Sequence, residues 1–428
     1  MKAKLLALKD AVLKMDPKTQ LILADQVMVS GSNFAIAILL ARFMGVETYG
    51  VYSLAWMGVI FASSLLQALI SVPMMSIFPA LQPSEKPAYL AQTFVLQVAF
   101  VGIVGVLALG LVFGADEWFP DWGIGFLFPV LPLAVCSFLF QEYFRRLFFA
   151  QQKSGYALII DMVAYVGFVG TVTAIYFLGG LTLRVVFWSV AGSFGLAALL
   201  GYLLSGLGWA GWKSLMPVFQ KHWSMGSWLI GKSVLQFFSA NYFILAAAAL
   251  LGPAAVGGLK VAQNLMGASH IFFLAMENMV PVKAAQAYRS GGEKGMWEYL
   301  NRNTRKSAWG IGAILCVLAV LHHPLIVGIY GAEYGEYSYL LMAFCVLYVF
   351  IFPGYPLRFA LRTLGRTRPI FIAYGITTVL SLLLAEPVVA EWGLMGVMYG
   401  LIGQQIIMLV VYLISLKYKP ANVKPKEA

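Results

Sequence analysis

Long apolar stretches, separated by short polar connections, run through the whole chain. A helix needs ~20 mainly apolar residues to cross a bilayer, and twelve stretches reach about this length. They cover residues 21–43, 49–72, 91–114, 123–141, 156–180, 185–205, 228–251, 256–281, 308–330, 337–357, 369–390 and 393–416. These stretches are too long and too continuously apolar to be the strands of a membrane barrel. The pattern predicts an all-α polytopic membrane protein with twelve transmembrane helices.

The composition agrees with this prediction and indicates an orientation. Of the 428 residues, 61% are hydrophobic and only 11% are charged, whereas a soluble domain has about 25% charged residues. The formal net charge is +11, and if the N-terminus is cytoplasmic, 25 of the 29 Lys and Arg residues lie on the cytoplasmic side. This positive-inside distribution predicts that both termini are cytoplasmic. It also explains the basic charge without a nucleic-acid partner.

The stretch GSWLIGKS, residues 226–233, fits the phosphate-binding pattern G-x-x-x-x-G-K-[ST]. That pattern binds phosphate when it lies between a buried strand and the N-terminus of a helix. Here a polar segment precedes the stretch, and the seventh predicted span continues from it. We therefore expect this stretch to belong to a membrane helix and not to a nucleotide site.

A weak internal repeat relates the two halves of the chain at a shift of 207 residues. Ser32–Ala55 aligns without a gap with Ser239–Ala262, and each segment covers an outer turn with its flanking helix ends. The identical pairs are Ser32 with Ser239, Ala41 with Ala248, Gly45 with Gly252, Gly50 with Gly257 and Ala55 with Ala262. Many transporters contain such repeats. The repeat predicts two six-helix lobes related by a pseudo-twofold axis along the membrane normal, with the substrate passing between the lobes.

The spans and the repeat together predict the organisation of the chain. It comprises a cytoplasmic amphipathic N-terminus (1–20), an N-lobe of spans one to six (21–205), a cytoplasmic lobe linker (206–227), a C-lobe of spans seven to twelve (228–416) and a basic cytoplasmic tail (417–428). All connections are short, so we expect no inserted soluble domain.

The segment GSNFAIAILLARFMGVETYGVYSLA, residues 31–55, resembles the first hairpin of the polysaccharide flippases. These proteins belong to the multidrug/oligosaccharidyl-lipid/polysaccharide exporter superfamily. The resemblance extends to the twelve spans, the two six-helix lobes and the cytoplasmic location of both termini. It implies a flippase of the bacterial inner membrane that moves an undecaprenyl-diphosphate-linked oligosaccharide by alternating access. The implied pathway is the biosynthesis of O-antigen lipopolysaccharide, capsule or another polysaccharide. The implied partners are the lipid-linked oligosaccharide, membrane lipids and other membrane proteins of polysaccharide assembly.

Polar residues within spans one and seven are candidates for the wall of a transport cavity, because intramembrane charges are costly. Span one contains Asp25 and Asn33, and span seven contains Lys232 and Gln236 on one helix face. The repeat makes Asp25 and Lys232 equivalent, so we expect them to pair in one transport state and to separate in another. The alternative is that both lie near the headgroups and extend toward water.

The eighth span has the densest polar stripe. Lys260, Gln263, Asn264, His270 and Glu277 lie within an arc of about 140° at 100° per residue. A lipid-facing helix would not tolerate this stripe, so we expect it to face the cavity. Lys260 is a candidate contact for a diphosphate, and the two amides are candidate contacts for sugar hydroxyls. Glu277 is a candidate titrating group; the alternative is that it simply lies near the cytoplasmic end of the span.

Three arginines are candidate phosphate contacts. Arg42 ends the first span at the outer surface, and Arg145 and Arg146 lie at the inner end of the fourth span. Each has a structural alternative, which is a turn contact for Arg42 and ordinary positive-inside charge for the other two.

A cation-coupled multidrug exporter of the same fold is the alternative function, and it predicts a cavity dominated by acidic side chains. Here Lys232 and Lys260 balance Asp25 and Glu277, which favours an anionic or zwitterionic substrate. The sequence contains no ATPase module and no metal-ligand or cofactor motif, so the expected energy source is either an ion gradient of protons or sodium, coupled through Asp25 or Glu277, or removal of the product. The outer loops are too short for the catalytic groups of a membrane glycosyltransferase, so we do not expect an enzyme.

Overall fold

The computed structural model describes residues 17–118, 125–127 and 129–418, and nearly all of these residues lie in helices. The predicted amphipathic N-terminus and most of the predicted basic tail lie outside the described residues. The chain divides into two compact units, Met1–Val234 and Leu235–Ala428, which we call the N-unit and the C-unit.

The N-unit is built from long helices, two of which are interrupted by short π-helical segments. Its helices are α1 (Pro17–Met44), α2 (Val46–Leu66), α3 (Val72–Ile77), α4 (Lys86–Trp118), α5 (Val130–Ala150), α6 (Ser154–Asp161), α7 (Gly167–Phe177) and α8 (Leu183–Ser205). The π-helical segment Gln67–Ser71 joins α2 to α3, and Met162–Val166 joins α6 to α7. Helix α9 (Leu215–Leu251) follows, and the boundary between the units falls within it.

The C-unit continues from α9 through five further helices. These are α10 (Pro253–Leu265), α11 (Gly267–Val320), α12 (His322–Tyr330), α13 (Tyr339–Thr363) and α14 (Arg368–Lys417). Two of them contain a break at a glycine with positive φ, at Gly292 in α11 and at Gly393 in α14.

The twelve predicted spans are not all confirmed. Eight helices of the described chain are long and apolar enough to cross a membrane, and a pair bent by 71° in α11 and α12 would make nine. The predicted spans at 369–390 and 393–416 both lie in α14, on either side of Gly393, whose φ of 56° and ψ of −136° are not helical, so α14 consists of two helices that meet at this residue. Helix α5 is not among the eight because it contains three charged residues, Glu142, Arg145 and Arg146. Helix α10 is not among them because it has only 13 residues. The described chain is therefore a polytopic helical membrane protein whose number of crossings stays a prediction.

The stretch GSWLIGKS lies inside α9, which is helical from residue 215 to residue 251. Its backbone amides therefore belong to the interior of a helix and cannot surround a phosphate. The expectation that this stretch is part of a membrane helix is confirmed.

The two turns aligned by the repeat have the same backbone conformation. Gly45 has φ 82° and ψ 168°, Gly252 has φ 82° and ψ 174°, and each is the residue before the next helix. This region of φ and ψ is readily accessible only to glycine. The repeat in sequence is thus also a repeat in local backbone structure.

Helices α5 and α8 form the tightest contact in the N-unit, and a glycine makes this approach possible. Gly201 of α8 lies against Phe144 of α5, whose ring is buried. A second contact, at a ring-centroid distance of 5.2 Å, joins Phe138 to Phe194. This packing holds α5, which carries the charged residues described below, in a fixed position.

Replacing Gly201 with alanine should lower the stability of the N-unit. The added Cβ would lie 2.8 Å from Cβ of Phe144, and such overpacking costs about 1–3 kcal/mol. Gly192 of the same helix is the matched control, since no atom lies within 4 Å of the position that a Cβ would take there. Thermal unfolding of the purified protein in detergent should show a lower Tm for G201A only. Equal Tm values for G201A and G192A would contradict the close approach.

Candidate functional site

A cavity of about 260 Å³ lies within the C-unit, between α9, α10, α13 and α14. Its wall combines apolar side chains with amides, tyrosines and one arginine. The polar lining residues are Gln236, Ser239, Gln263, Tyr348, Tyr355, Arg358, Tyr374, Gln404, Gln405 and Tyr412. Among the described lining residues, Arg358 alone carries a formal charge, so this part of the cavity wall is cationic.

The guanidinium group of Arg358 is positioned by an aromatic stack. Its Cζ lies 4.3 Å from the ring centroid of Tyr355, and that ring stacks on Phe273 at 4.6 Å. Its nearest carboxylate is Glu277, at 4.0 Å, and 39% of the Glu277 side chain is exposed. Apart from a hydrogen bond to Tyr355, this guanidinium has only a distant counter-ion among the described residues, and its fork of N–H donors matches phosphate geometry.

The opposite wall of the cavity is fixed by hydrogen bonds between helices. Gln404 donates from Nε2 to Oγ of Ser381, and Ser381 donates to the carbonyl oxygen of Thr377. The Thr377 hydroxyl is 2.8 Å from that of Ser239. This chain of polar contacts joins α9 to both halves of α14 and orients two of the lining residues. Such contacts stabilise helix association where water is scarce.

Tyr412 contributes a polar atom without a partner. Its side chain is 2% exposed, and its hydroxyl oxygen has no hydrogen-bond partner among the described residues. An unpaired buried hydroxyl costs free energy, and a ligand in the adjoining cavity would remove that cost. Together with Arg358 and the amides, this hydroxyl can bind an anion that also carries hydroxyl groups.

The second polar centre is a group of charged residues buried in the N-unit. Nη2 of Arg145 is 2.9 Å from Asp25, and its Nε is 2.5 Å from Asp161. Asp161 also accepts a hydrogen bond from Gln141, at 2.5 Å. Both aspartates are at most 1% exposed. These contacts join α1, α5 and α6 through a single arginine.

The group extends along α5 toward the π-helical segment. Arg146 binds Glu142 at 2.7 Å and lies 3.5 Å from Oε1 of Gln67. Glu142 is in turn 3.7 Å from Arg145. We call Asp25, Glu142, Arg145, Arg146 and Asp161 the N-unit charge cluster.

The charges of this cluster do not balance. Three carboxylates face two guanidinium groups, and Oδ1 of Asp25 is buried without a hydrogen-bond partner among the described residues. Uncompensated charge in a protein interior is very costly. One bound cation or one proton would make the cluster neutral.

The structure connects part of the polar stripe predicted for the eighth span. Lys260 donates to Gln263, which lines the cavity, and Asn264 donates to the hydroxyl of Tyr330 at 2.9 Å. Glu277 is the carboxylate nearest Arg358. The side chain of His270 lies outside the described part of the chain.

The remaining candidates have different surroundings. Gln236 lines the cavity within the C-unit, whereas Asn33, Lys232 and Arg42 are exposed, and a role of these residues in a cavity between the lobes stays a prediction. Asp25 binds Arg145, so its pairing with Lys232 in another transport state stays a prediction. Arg145 and Arg146 bind carboxylates of the charge cluster, so here their guanidinium groups have partners other than a phosphate.

Sequence analysis missed Arg358 as a site residue, because it counted this side chain as ordinary positive-inside charge. The repeat gave no signal for it, because the shift of 207 residues places Arg145 opposite Phe352.

Comparison with protein families gives one match, and it covers part of the chain. The model of the MatE family matches residues 229–385, which include most of the cavity wall. None of the curated proteins matches the chain.

Comparison with solved structures gives matches over almost the whole length. A multidrug resistance MATE family transporter of the MOP superfamily, in its inward-facing conformation, has a TM-score of 0.74 at 13% identity, covering 91% of this chain and 94% of that chain. The lipid II flippase MurJ, in an inward closed conformation, has a TM-score of 0.69 at 13% identity, covering 94% and 88%. A MOP superfamily transporter from Pyrococcus furiosus, for which a binding pocket of reverse polarity is described, has a TM-score of 0.61 at 13% identity, covering 95% and 96%.

Proposed function

Since the chain has the fold of MOP-superfamily transporters, we propose that it is a flippase for a polyprenyl-diphosphate-linked oligosaccharide. The headgroup would move from the inner to the outer leaflet of a bacterial inner membrane by alternating access, while the polyprenyl chain stays in the lipid. The observation that supports this substrate class is the charge of the C-unit cavity, whose one formally charged lining residue is Arg358.

The cavity matches the two chemical parts of such a headgroup. An arginine fork binds phosphate oxygens through paired charge-assisted hydrogen bonds, and the partner of Arg358 is a half-exposed carboxylate at 4.0 Å that a phosphate can replace. Tyr374 offers a ring face for a sugar, and Gln404 and Gln405 offer amides for sugar hydroxyls. A purely apolar or cationic drug would leave these groups unsatisfied.

Energy for transport is assigned to the N-unit charge cluster in this proposal. The cluster has one carboxylate more than it has guanidinium groups, and Oδ1 of Asp25 is buried without a described partner. Uptake of a proton there would remove the excess charge, and its release would restore it. We therefore propose that this excess carboxylate couples transport to a proton gradient through Asp25 or Asp161.

Export of cationic drugs is the second candidate function. The observation that favours it is the same excess of carboxylate in the N-unit, because a buried negative charge also attracts an organic cation. The carboxylates there already contact Arg145 or Arg146, at distances between 2.5 and 3.7 Å. For this reason we place the flippase first.

The deciding experiment is the sidedness of the lipid-linked oligosaccharide in cells of the native host depleted of this protein. For a flippase, depletion should make the oligosaccharide accumulate on the cytoplasmic face, where an external glycan-binding probe cannot reach it. Expression of the wild-type chain should restore access of the probe. Unchanged sidedness, together with new sensitivity to cationic dyes, would overturn the flippase and support the exporter.

A further inference from the structure

A second cavity, of about 470 Å³, lies in the N-unit at the C-terminal end of α8, apart from both polar centres described above. Lys86, Gln151 and Lys153 line it together with the loop Ser205–Gly208. We call it the basic cavity. Nothing in the proposed transport cycle uses these residues.

Positive charge at the basic cavity favours an anionic ligand. Lys86 is the first residue of α4, and Lys153 comes directly before α6, so two helix N-termini add their positive dipole ends to two ammonium groups. The ammonium of Lys86 lies 5.0 Å from the ring centroid of Phe78, and that of Lys153 lies 5.7 Å from the ring centroid of Tyr156. In the described part of the chain, neither lysine forms an ion pair. Both charges are therefore available to a ligand.

The basic cavity also offers acceptors. Oε1 of Gln151 is buried and has no hydrogen-bond partner among the described residues. Helix α8 ends beside it at Ser205, and Gly206 takes the left-handed conformation with φ 63°. The last carbonyl groups of a helix lack intrahelical partners and carry the negative end of its dipole. A ligand that fits both the positive charge and the acceptors combines an anionic group with a hydrogen-bond donor.

The surroundings of the basic cavity indicate the depth of a membrane surface. The chain leaves the cavity at Gly208 and continues into Trp209 and Trp212, which are both exposed and touch edge to face at 5.2 Å. Tryptophan is enriched at the level of the lipid headgroups. Basic pockets at this level bind the headgroups of acidic lipids.

We propose that the basic cavity binds the headgroup of a membrane phospholipid whose phosphate is followed by a hydrogen-bond donor. Phosphoglycerol and phosphoethanolamine have this chemistry, since the first carries hydroxyl groups and the second an ammonium group. Lys86 and Lys153 bind the phosphate, and Oε1 of Gln151 accepts the hydrogen bond. Phosphocholine has the phosphate without the donor, so it satisfies only the positive charge.

Native mass spectrometry of the purified full chain in detergent tests this site. Wild-type protein should retain phosphatidylglycerol and phosphatidylethanolamine about tenfold more strongly than phosphatidylcholine, because phosphatidylcholine leaves the buried acceptor of Gln151 unpaired. The double variant K86A/K153A should lose this retention. The matched control K294A/K417A removes two exposed lysines elsewhere and should behave as wild type. The variant Q151L should bind all three lipids alike while keeping the Tm of the wild type.

Three results would overturn the proposal. Equal losses in K86A/K153A and K294A/K417A would show only a general effect of charge. If the wild-type chain retains phosphatidylcholine as strongly as phosphatidylglycerol, Gln151 has no role in selecting the headgroup. This measurement uses only the wild-type chain, so it does not depend on the folding of a variant. Binding of glycerol 3-phosphate to the wild-type chain, without retention of any phospholipid, would make the ligand a soluble phosphate ester.

Discussion

Replacing Arg358 with alanine is expected to weaken binding of a polyprenyl-diphosphate-linked oligosaccharide by about 10- to 100-fold. The reason is that a charge-assisted hydrogen bond contributes about 1.5–3 kcal/mol, and Arg358 is the charged residue of the cavity wall. Binding of the labelled lipid-linked substrate to purified protein in nanodiscs measures the effect directly. The substitution R358K should retain part of the affinity, since lysine keeps the charge and loses the paired geometry.

Arg362, one turn further along α13, provides the matched control. It is exposed and does not line the cavity. The variant R362A removes the same charge from the same helix and should bind substrate like the wild type. Equal losses in R358A and R362A would mean that the effect is bulk electrostatics, and the assignment of the cavity would then be wrong.

Replacing Arg145 with methionine is expected to destabilise the protein by about 3–5 kcal/mol. This is the usual cost of removing one partner from a buried ion pair, because the remaining charge stays buried without compensation. Here two aspartates that are at most 1% exposed would lose their partner together. Thermal or denaturant unfolding in detergent measures the loss.

Arg146 is the neighbouring control, with 28% of its side chain exposed. R146M removes a partly exposed guanidinium and leaves one buried carboxylate, Glu142, which still has Arg145 at 3.7 Å, so it should destabilise the protein less than R145M does. Adding D25N and D161N to R145M should recover much of the lost stability, since neutral amides remove the uncompensated charges. If the triple variant is as unstable as R145M, lost packing and not charge explains the defect.

The candidate site was predictable in part. Gln236 and Gln263 follow from helical periodicity in polar residues within apolar spans, and both line the cavity. Glu277 lies beside Arg358, again in agreement with the predicted stripe. Asn33 and Lys232 are exposed, because their helices place them away from the buried faces of the described chain. Periodicity shows which residues share a face, but it does not show which neighbour covers that face.

Two of the arginines illustrate the same limit. Arg145 and Arg358 are indistinguishable in sequence as basic residues near an inner helix end. Asp25 and Asp161 come from α1 and α6, and only the packing of those helices on α5 makes Arg145 an internal ion pair. Arg358 instead meets Tyr355 and a distant carboxylate, so its charge faces a cavity.

By itself, the sequence determined the helical membrane character of the chain, the backbone of the two turns aligned by the repeat and the helical state of GSWLIGKS. These properties depend on hydrophobic length and on the local conformational freedom of glycine, which a stretch of sequence contains in full. Only the tertiary structure decided which arginine is neutralised, which one lines a cavity, and that two lysines share a pocket with a buried amide oxygen. Those outcomes depend on contacts between residues that are far apart in the chain, and the free energy of a charge depends on the neighbours those contacts bring to it.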